Sequence, residues 1–81
     1  AYNIAKAGLD MMMKTAATEL LPHDIRVNCV YPGWTDTPGE RKFMDDASIR
    51  AAAKGLPMGR MATAEEIAAG IRFLCEPASA Y

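Results

Sequence analysis

Tyr2 and Lys6 are the two residues of this 81-residue chain whose types and spacing point most directly to chemistry. Four apart at the start of a helix-forming stretch, they fall on one face, a single turn from each other. A phenol normally holds its proton up to a pH of about 10, and an ammonium close by stabilises the phenolate, which eases proton exchange near neutral pH. Tyr2 is therefore a candidate general acid/base with Lys6 as its partner. The competing reading is a surface tyrosine beside a solvated lysine, and the weight between the two comes from the elements around them.

From Tyr2 to Leu21 the sequence is rich in Ala, Met, Leu and Lys, and Ile4, Leu9, Met12, Met13, Ala16 and Leu20 recur at helical spacing. The spacing predicts a helix over 1–21. Pro22 disfavours helical geometry in the residue before it, and His23-Asp24 reads as a turn. Ile25 to Tyr31 is short and rich in β-branched residues and stops at Pro32-Gly33, the pattern of a buried parallel strand over 25–33. Trp34 to Gly39 is a loop. Glu40 to Lys54 is helix-prone, with Asp45-Asp46-Ala47-Ser48 as a potential break, so 34–57 is expected to form an irregular, mobile helical flap. Gly55, Pro57 and Gly59 mark a second loop. Thr63 followed by Glu66 is a capping box opening a helix over 63–76 that Pro77 ends.

Alternation of helices with a buried strand argues for an α/β fold with a parallel sheet. A lone strand leaves both its edges unpaired, so the unit is incomplete on its own. Hydrophobic residues make up 51% and charged residues 23% of the chain, values of a folded globular protein rather than a disordered one. The formal net charge of -1 gives no basic field for nucleic acid or an anionic membrane surface, and neither is expected as a partner. Cys29 and Cys75 stand apart without further ligands, which predicts neither a disulfide framework nor a metal site and fits a cytoplasmic location. No apolar run reaches the roughly 18 residues of a membrane span. The chain does not begin with Met, a hint of truncation.

Three stretches together, Tyr2-Asn3-Ile4-Ala5-Lys6-Ala7-Gly8-Leu9, Ile25-Arg26-Val27-Asn28 and Pro32-Gly33-Trp34-Thr35-Asp36-Thr37-Pro38, resemble the classical short-chain dehydrogenase/reductase family. Its Tyr-x-x-x-Lys signature, its Arg-Val-Asn strand and its Pro-Gly loop appear in the family's order and spacing. The resemblance runs through Pro57-Met58-Gly59-Arg60, Glu65-Glu66-Ile67-Ala68 and Phe73-Leu74 to Ser79-Ala80-Tyr81, and the glucose-dehydrogenase-like and 3-oxoacyl-reductase-like members are nearest. It implies the C-terminal portion of a doubly wound Rossmann-type parallel sheet, ordered helix, strand, helical lid, helix, beginning at the catalytic motif.

The resemblance also implies an NAD(P)-dependent oxidoreductase that moves a hydride between a nicotinamide cofactor, NAD or NADP, and a carbonyl or secondary alcohol. Tyr2 would exchange the proton and Lys6 would hold the nicotinamide ribose hydroxyls. Pro32 and Gly33 end the strand at its carboxyl edge, where open α/β sheets bind ligands. Thr35 by its backbone and Thr37 by its side chain would meet the carboxamide; Thr35 departs from the family's usual aliphatic residue. Trp34, Phe43, Met44 and Met58 would line the substrate lid, although Met and Phe at such spacing are more often core or interface. Arg60 reads as a structural or interface contact, and His23 as an ordinary turn residue.

The glycine-rich phosphate turn, the Asn-Ala-Gly segment and the catalytic serine of the family lie upstream of its tyrosine, so the 81 residues alone would be inactive and incomplete. A homo-oligomer, tetramer or dimer, is implied, with the first helix packing on its mate. The alternative is a stand-alone, non-catalytic truncated module that docks onto another subunit of the same family through its open strand edges and apolar helix face.

Overall fold

Ala, Met, Leu and Lys lose little side-chain freedom in a helix, and helix α1 runs unbroken over Tyr2–Leu20. Its 19 residues extend about 28 Å at 1.5 Å per residue. The half-buried positions Met13, Ala16, Ala17 and Leu20 follow the spacing of one helical face. Pro22 then tightens the chain into a single 3-10 turn over Leu21–His23. Asp24 closes it in the left-handed region at φ 56°, which Asp tolerates better than most residues, and its N–H donates to the Leu21 carbonyl at 3.1 Å.

The computed structural model describes all residues, 1–81, and contains no β-strand over 25–33, where the sequence predicts one. The reason is physical: a strand is defined by ladder bonds to a neighbour, and no second strand is present to supply them. The segment is tied at both ends. Ile25 N–H donates to the Leu20 carbonyl at 3.4 Å, and the Arg26 guanidinium donates to the Ser79 carbonyl at 2.8 Å. At its far end the Tyr31 hydroxyl donates to an Asp10 carboxylate oxygen on α1.

A 3-10 turn over Glu40–Lys42 precedes helix α2, Asp46–Ala53. The break expected at Asp45-Asp46 falls at 43–45, and the same residues start α2. Asp45 is its N-cap, accepting the Ser48 N–H at 2.7 Å, because Asp competes well for the orphan donors of a first turn. Ile49 and Ala53, one turn apart on α2, join Met61 as the three buried residues, with Trp34 and Leu56 packed against them.

Helix α3, Ala64–Cys75, begins with the reciprocal cap that its sequence encodes: Thr63 Oγ1 accepts the Glu66 N–H at 3.2 Å, and Glu66 Oε2 accepts the Thr63 N–H at 2.8 Å. Its far end is closed by the Ser79 hydroxyl against the Phe73 carbonyl at 2.8 Å and the Glu76 carbonyl at 2.9 Å. Just before α3, an isolated parallel bridge pairs Thr35 with Ala62, through Asp36 N–H to the Ala62 carbonyl at 2.8 Å and Ala62 N–H to the Trp34 carbonyl at 3.0 Å. This bridge, which the sequence pattern does not announce, fastens the 34–36 loop to the start of α3.

Candidate functional site

Tyr2 is the first residue of α1 and Lys6 lies one turn on, so the helix itself sets their relation. The Lys6 ammonium sits over the Tyr2 ring, 5.5 Å from its centroid, within the range where a cation is drawn to an aromatic face. No carboxylate pairs with Lys6, although Lys14 on the same helix is paired with Asp10 at 3.5 Å. The ammonium therefore keeps its donors for another partner, and the Tyr2 side chain is exposed.

Tyr2, Lys6, Asp10 and Lys14 continue at four-residue intervals as one slowly winding stripe along α1. Tyr31 docks onto this stripe at Asp10. The carboxylate holds the phenol proton and pushes Tyr31 up to about 12, with the lesser influence of nearby Cys29 in the same direction. The same hydrogen bond, helped by Lys14, keeps Asp10 below the ordinary carboxylate range. Pro32 and Gly33 follow directly, so the hydrogen bond from Tyr31 fixes where the Pro-Gly turn leaves the helix. A residue at Asp10 is about 6 Å along the axis from Lys6. Neither Asp10 nor Tyr31 is marked by the sequence motif, since the two are 21 positions apart and meet only in the folded chain.

Pro32 and Gly33 are exposed, and a Cβ placed on Gly33 would meet nothing within 4 Å. The Thr35 hydroxyl is engaged by the Gly33 carbonyl at 3.0 Å, while its backbone N–H donates to nothing within the chain. Thr37 has the opposite pattern. Its carbonyl accepts the Glu40 N–H at 3.1 Å and the Arg41 guanidinium at 3.3 Å, leaving its hydroxyl without a partner. The loop thus presents one free backbone donor at Thr35 and one free hydroxyl at Thr37.

The residues expected to line a lid do not form one wall. Trp34 packs on the Ile49, Ala53 and Met61 cluster and donates its indole N–H to Glu40 at 2.7 Å. Phe43 is 88% exposed and Met58 77%, Met44 is less so at 37%, and none of the three joins that cluster. Arg60, read from the sequence as a structural contact, makes a two-pronged pair with Glu66 at 2.7 and 2.8 Å and donates to the Met61 carbonyl at 3.0 Å. The Arg60 guanidinium and the Thr63 N–H together pull Glu66 down to about 2. His23 lies in the 3-10 turn after α1, and no group of three potential metal-ligating side chains occurs in the chain.

A phenol and an ammonium free of carboxylates thus stand one turn apart on the helix that also carries Asp10, and Asp10 holds Tyr31 just before the loop with the free Thr35 and Thr37 donors. Comparison with known proteins gives the family. A family profile described as Enoyl-(Acyl carrier protein) reductase matches residues 1–81. The short-chain dehydrogenase RED2 of Pyricularia oryzae is 41% identical over 85 residues, covering 99% of this chain and 30% of that protein. The 3-oxoacyl-(acyl-carrier-protein) reductase FabG of Thermotoga maritima is 41% identical over 80 residues, covering 99% of this chain and 32% of that protein. The short-chain dehydrogenase srdC of Neurospora crassa is 43% identical over 82 residues, with the same 99% of this chain and 30% of that protein covered.

The chain belongs to the short-chain dehydrogenase/reductase family, whose members are oxidoreductases with a Rossmann-like fold. It spans about a third of the length of the curated relatives it matches.

Proposed function

We propose that this chain forms the C-terminal, active-site-bearing part of an NAD(P)-dependent oxidoreductase acting on a carbonyl or secondary alcohol. The observation that carries the reading is the Lys6 ammonium seated 5.5 Å over the Tyr2 ring with no carboxylate competing for it. Support for a nicotinamide ligand comes from the donor set: the uncommitted Lys6 ammonium, the free Thr35 N–H, the free Thr37 hydroxyl and the open approach over Gly33. These are the donors that ribose hydroxyls and a carboxamide require. The Rossmann-type sheet would extend from the 25–33 segment once neighbouring strands pair with it.

When bound, the cofactor supplies or accepts the hydride. The chain's own residues manage the proton and the positions. Tyr2 gives its phenolic proton to the carbonyl oxygen in reduction, or takes the alcohol proton in oxidation, and Lys6 stabilises the phenolate left behind. Lys6 also holds the ribose hydroxyls. Pro32 and Gly33 let the chain come close to the nicotinamide, Thr35 meets its carboxamide by the backbone N–H and Thr37 by the hydroxyl. Trp34, Phe43, Met44 and Met58 would face the substrate once the lid packs against the rest of a complete subunit, and homo-oligomer formation, as tetramer or dimer, would use α1.

The test is Tyr2→Phe in the complete subunit. Loss of a positioned acid/base costs roughly 10²–10⁴ in rate, about 3–5 kcal/mol in the barrier. Tyr31 is no substitute, because its proton is committed to Asp10 and leaves only near a pH of about 12. Turnover within tenfold of the parent, with an unchanged pH profile, would sink the reading.

A further inference from the structure

One guanidinium, that of Arg41, bonds to both the 34–37 loop and the start of the lid helix α2. Arg41 lies in the 3-10 turn Glu40–Lys42, between the 34–37 loop and α2. Its Nη1 donates to Asp36 Oδ1 at 2.5 Å and to the Thr37 carbonyl at 3.3 Å, and its Nε donates to Asp46 Oδ1 at 2.8 Å. Asp36 and Thr37 belong to the loop, whereas Asp46 is the first residue of α2. A planar fork with donors on two edges can span two carboxylates in fixed relative positions, and a point-like ammonium cannot. The neighbouring Glu40 adds a second tie, accepting the Trp34 indole N–H at 2.7 Å, while Glu40 N–H donates to the Thr37 carbonyl at 3.1 Å.

On its other side, the loop is fastened to Ala62 by the parallel bridge, so the 34–37 backbone has two anchors. The Ala62 anchor fixes the backbone at Trp34 and Asp36. Arg41 fixes the portion carrying Thr37, the residue with the free hydroxyl. We infer that Arg41 is a positioning residue that makes the 35–37 loop and the start of α2 move as one body, so that nicotinamide binding and lid position are coupled. This rests on the proposed nicotinamide-binding role of the loop. Asp46, which stands in the lid and outside the proposed cofactor contacts, thereby acts on cofactor affinity through Arg41.

The experiment measures NADH and NADPH dissociation constants of the complete subunit by titration calorimetry, for the parent, Asp36→Asn, Asp46→Asn, the double variant and Arg41→Lys. Asp46→Asn keeps the side-chain shape and leaves the Asp45 cap in place, so α2 retains its start. The expected result is cofactor affinity at least threefold weaker in each single aspartate variant, with kcat at saturating cofactor within twofold of the parent. The double variant loses no more than the weaker single one, since both changes break the same bridge. Arg41→Lys keeps the charge and fails to restore affinity. Affinity of Asp46→Asn within 1.5-fold of the parent, losses that multiply in the double variant, or full affinity in Arg41→Lys each overturn the inference while leaving the oxidoreductase reading intact. A parent that binds neither NADH nor NADPH overturns that reading, and the inference with it.

Discussion

Replacing Thr63 by Ala removes one bond of a reciprocal pair and leaves the other. Thr63 Oγ1 no longer accepts the Glu66 N–H, now at 3.2 Å, whereas the Thr63 N–H still donates to Glu66 Oε2 and the Arg60 pair still holds that carboxylate. Loss of such a cap costs about 1 kcal/mol, equivalent to a roughly fivefold rise in the opening of the first turn. That turn lies next to Ala62, whose N–H and carbonyl fasten the Trp34–Asp36 backbone. The opening should therefore appear in two places. Native-state hydrogen exchange of the Glu66 amide is expected about fivefold faster, and the Asp36 amide, bonded to the Ala62 carbonyl at 2.8 Å, should accelerate with it. Amides late in α3 should keep the parent rate, and Thr63→Ser, which preserves the accepting oxygen, should restore both. Parental exchange at Glu66 in Thr63→Ala, or a Ser variant as fast as the Ala variant, refutes the assignment of the cap. Faster exchange at Glu66 with Asp36 unchanged refutes only its connection to the 34–36 loop.

Three further outcomes follow from the same geometry. Glu66 is held down to about 2 from an ordinary 4.5, so the stability it contributes is present above pH 4.5 and is lost as the pH falls through about 2; acid unfolding of the native protein should show this loss, and Glu66→Gln should abolish it. Tyr31 is raised from 10 to about 12, so its contribution is complete below pH 10 and disappears as the pH rises through about 12; ultraviolet phenolate titration should show one late tyrosine, which Asp10→Asn returns toward 10. The 81 residues expressed alone should bind a hydrophobic dye and melt without a sharp transition, and a cooperative monomeric melt would show that the exposed apolar surface needs no neighbouring strands.

The helices were legible because they are local. Ala, Met, Leu and Lys predict α1 without knowledge of anything else in the molecule, and Thr63 with Glu66 encodes the start of α3 in four positions. The Tyr2 and Lys6 pair was legible for the same reason, since helix geometry alone brings them to one face. Arg41 was not. Its partners lie five positions away on either side, across irregular backbone that has no period from which contacts can be read. The Asp10 and Tyr31 contact and the Thr35 bridge to Ala62 join distant positions and depend on how the chain turns back. The break before α2 was legible in Asp45-Asp46, but the capping role of Asp45 was not, because the same side chain can end one helix or start the next.

The 25–33 segment shows why the sheet is the part of the fold that a short stretch of sequence cannot display by itself. A helix satisfies its backbone internally, but a strand is satisfied only by neighbours, so Val27, Cys29 and Tyr31 can have strand-forming chemistry without forming a strand. The cost is visible across the whole molecule. A compact chain of this length has a radius of gyration of about 12 Å, whereas this one has 16.3 Å. Its accessible surface is 6701 Å², against about 4,800 Å² for a compact monomer of 8.8 kDa. Part of the open surface lies where a sheet would pack: Ile25, Val27, Leu74 and Ala17 line an open cleft of about 530 Å³ between the end of α1 and the end of α3. Parallel sheets are covered by helices on their faces, and α1 and α3 present apolar residues to this cleft with only one extended segment between them. The same segment ends at the Pro32-Gly33 turn, so the surface that needs neighbouring strands and the loop proposed to meet the cofactor are set by one stretch of backbone.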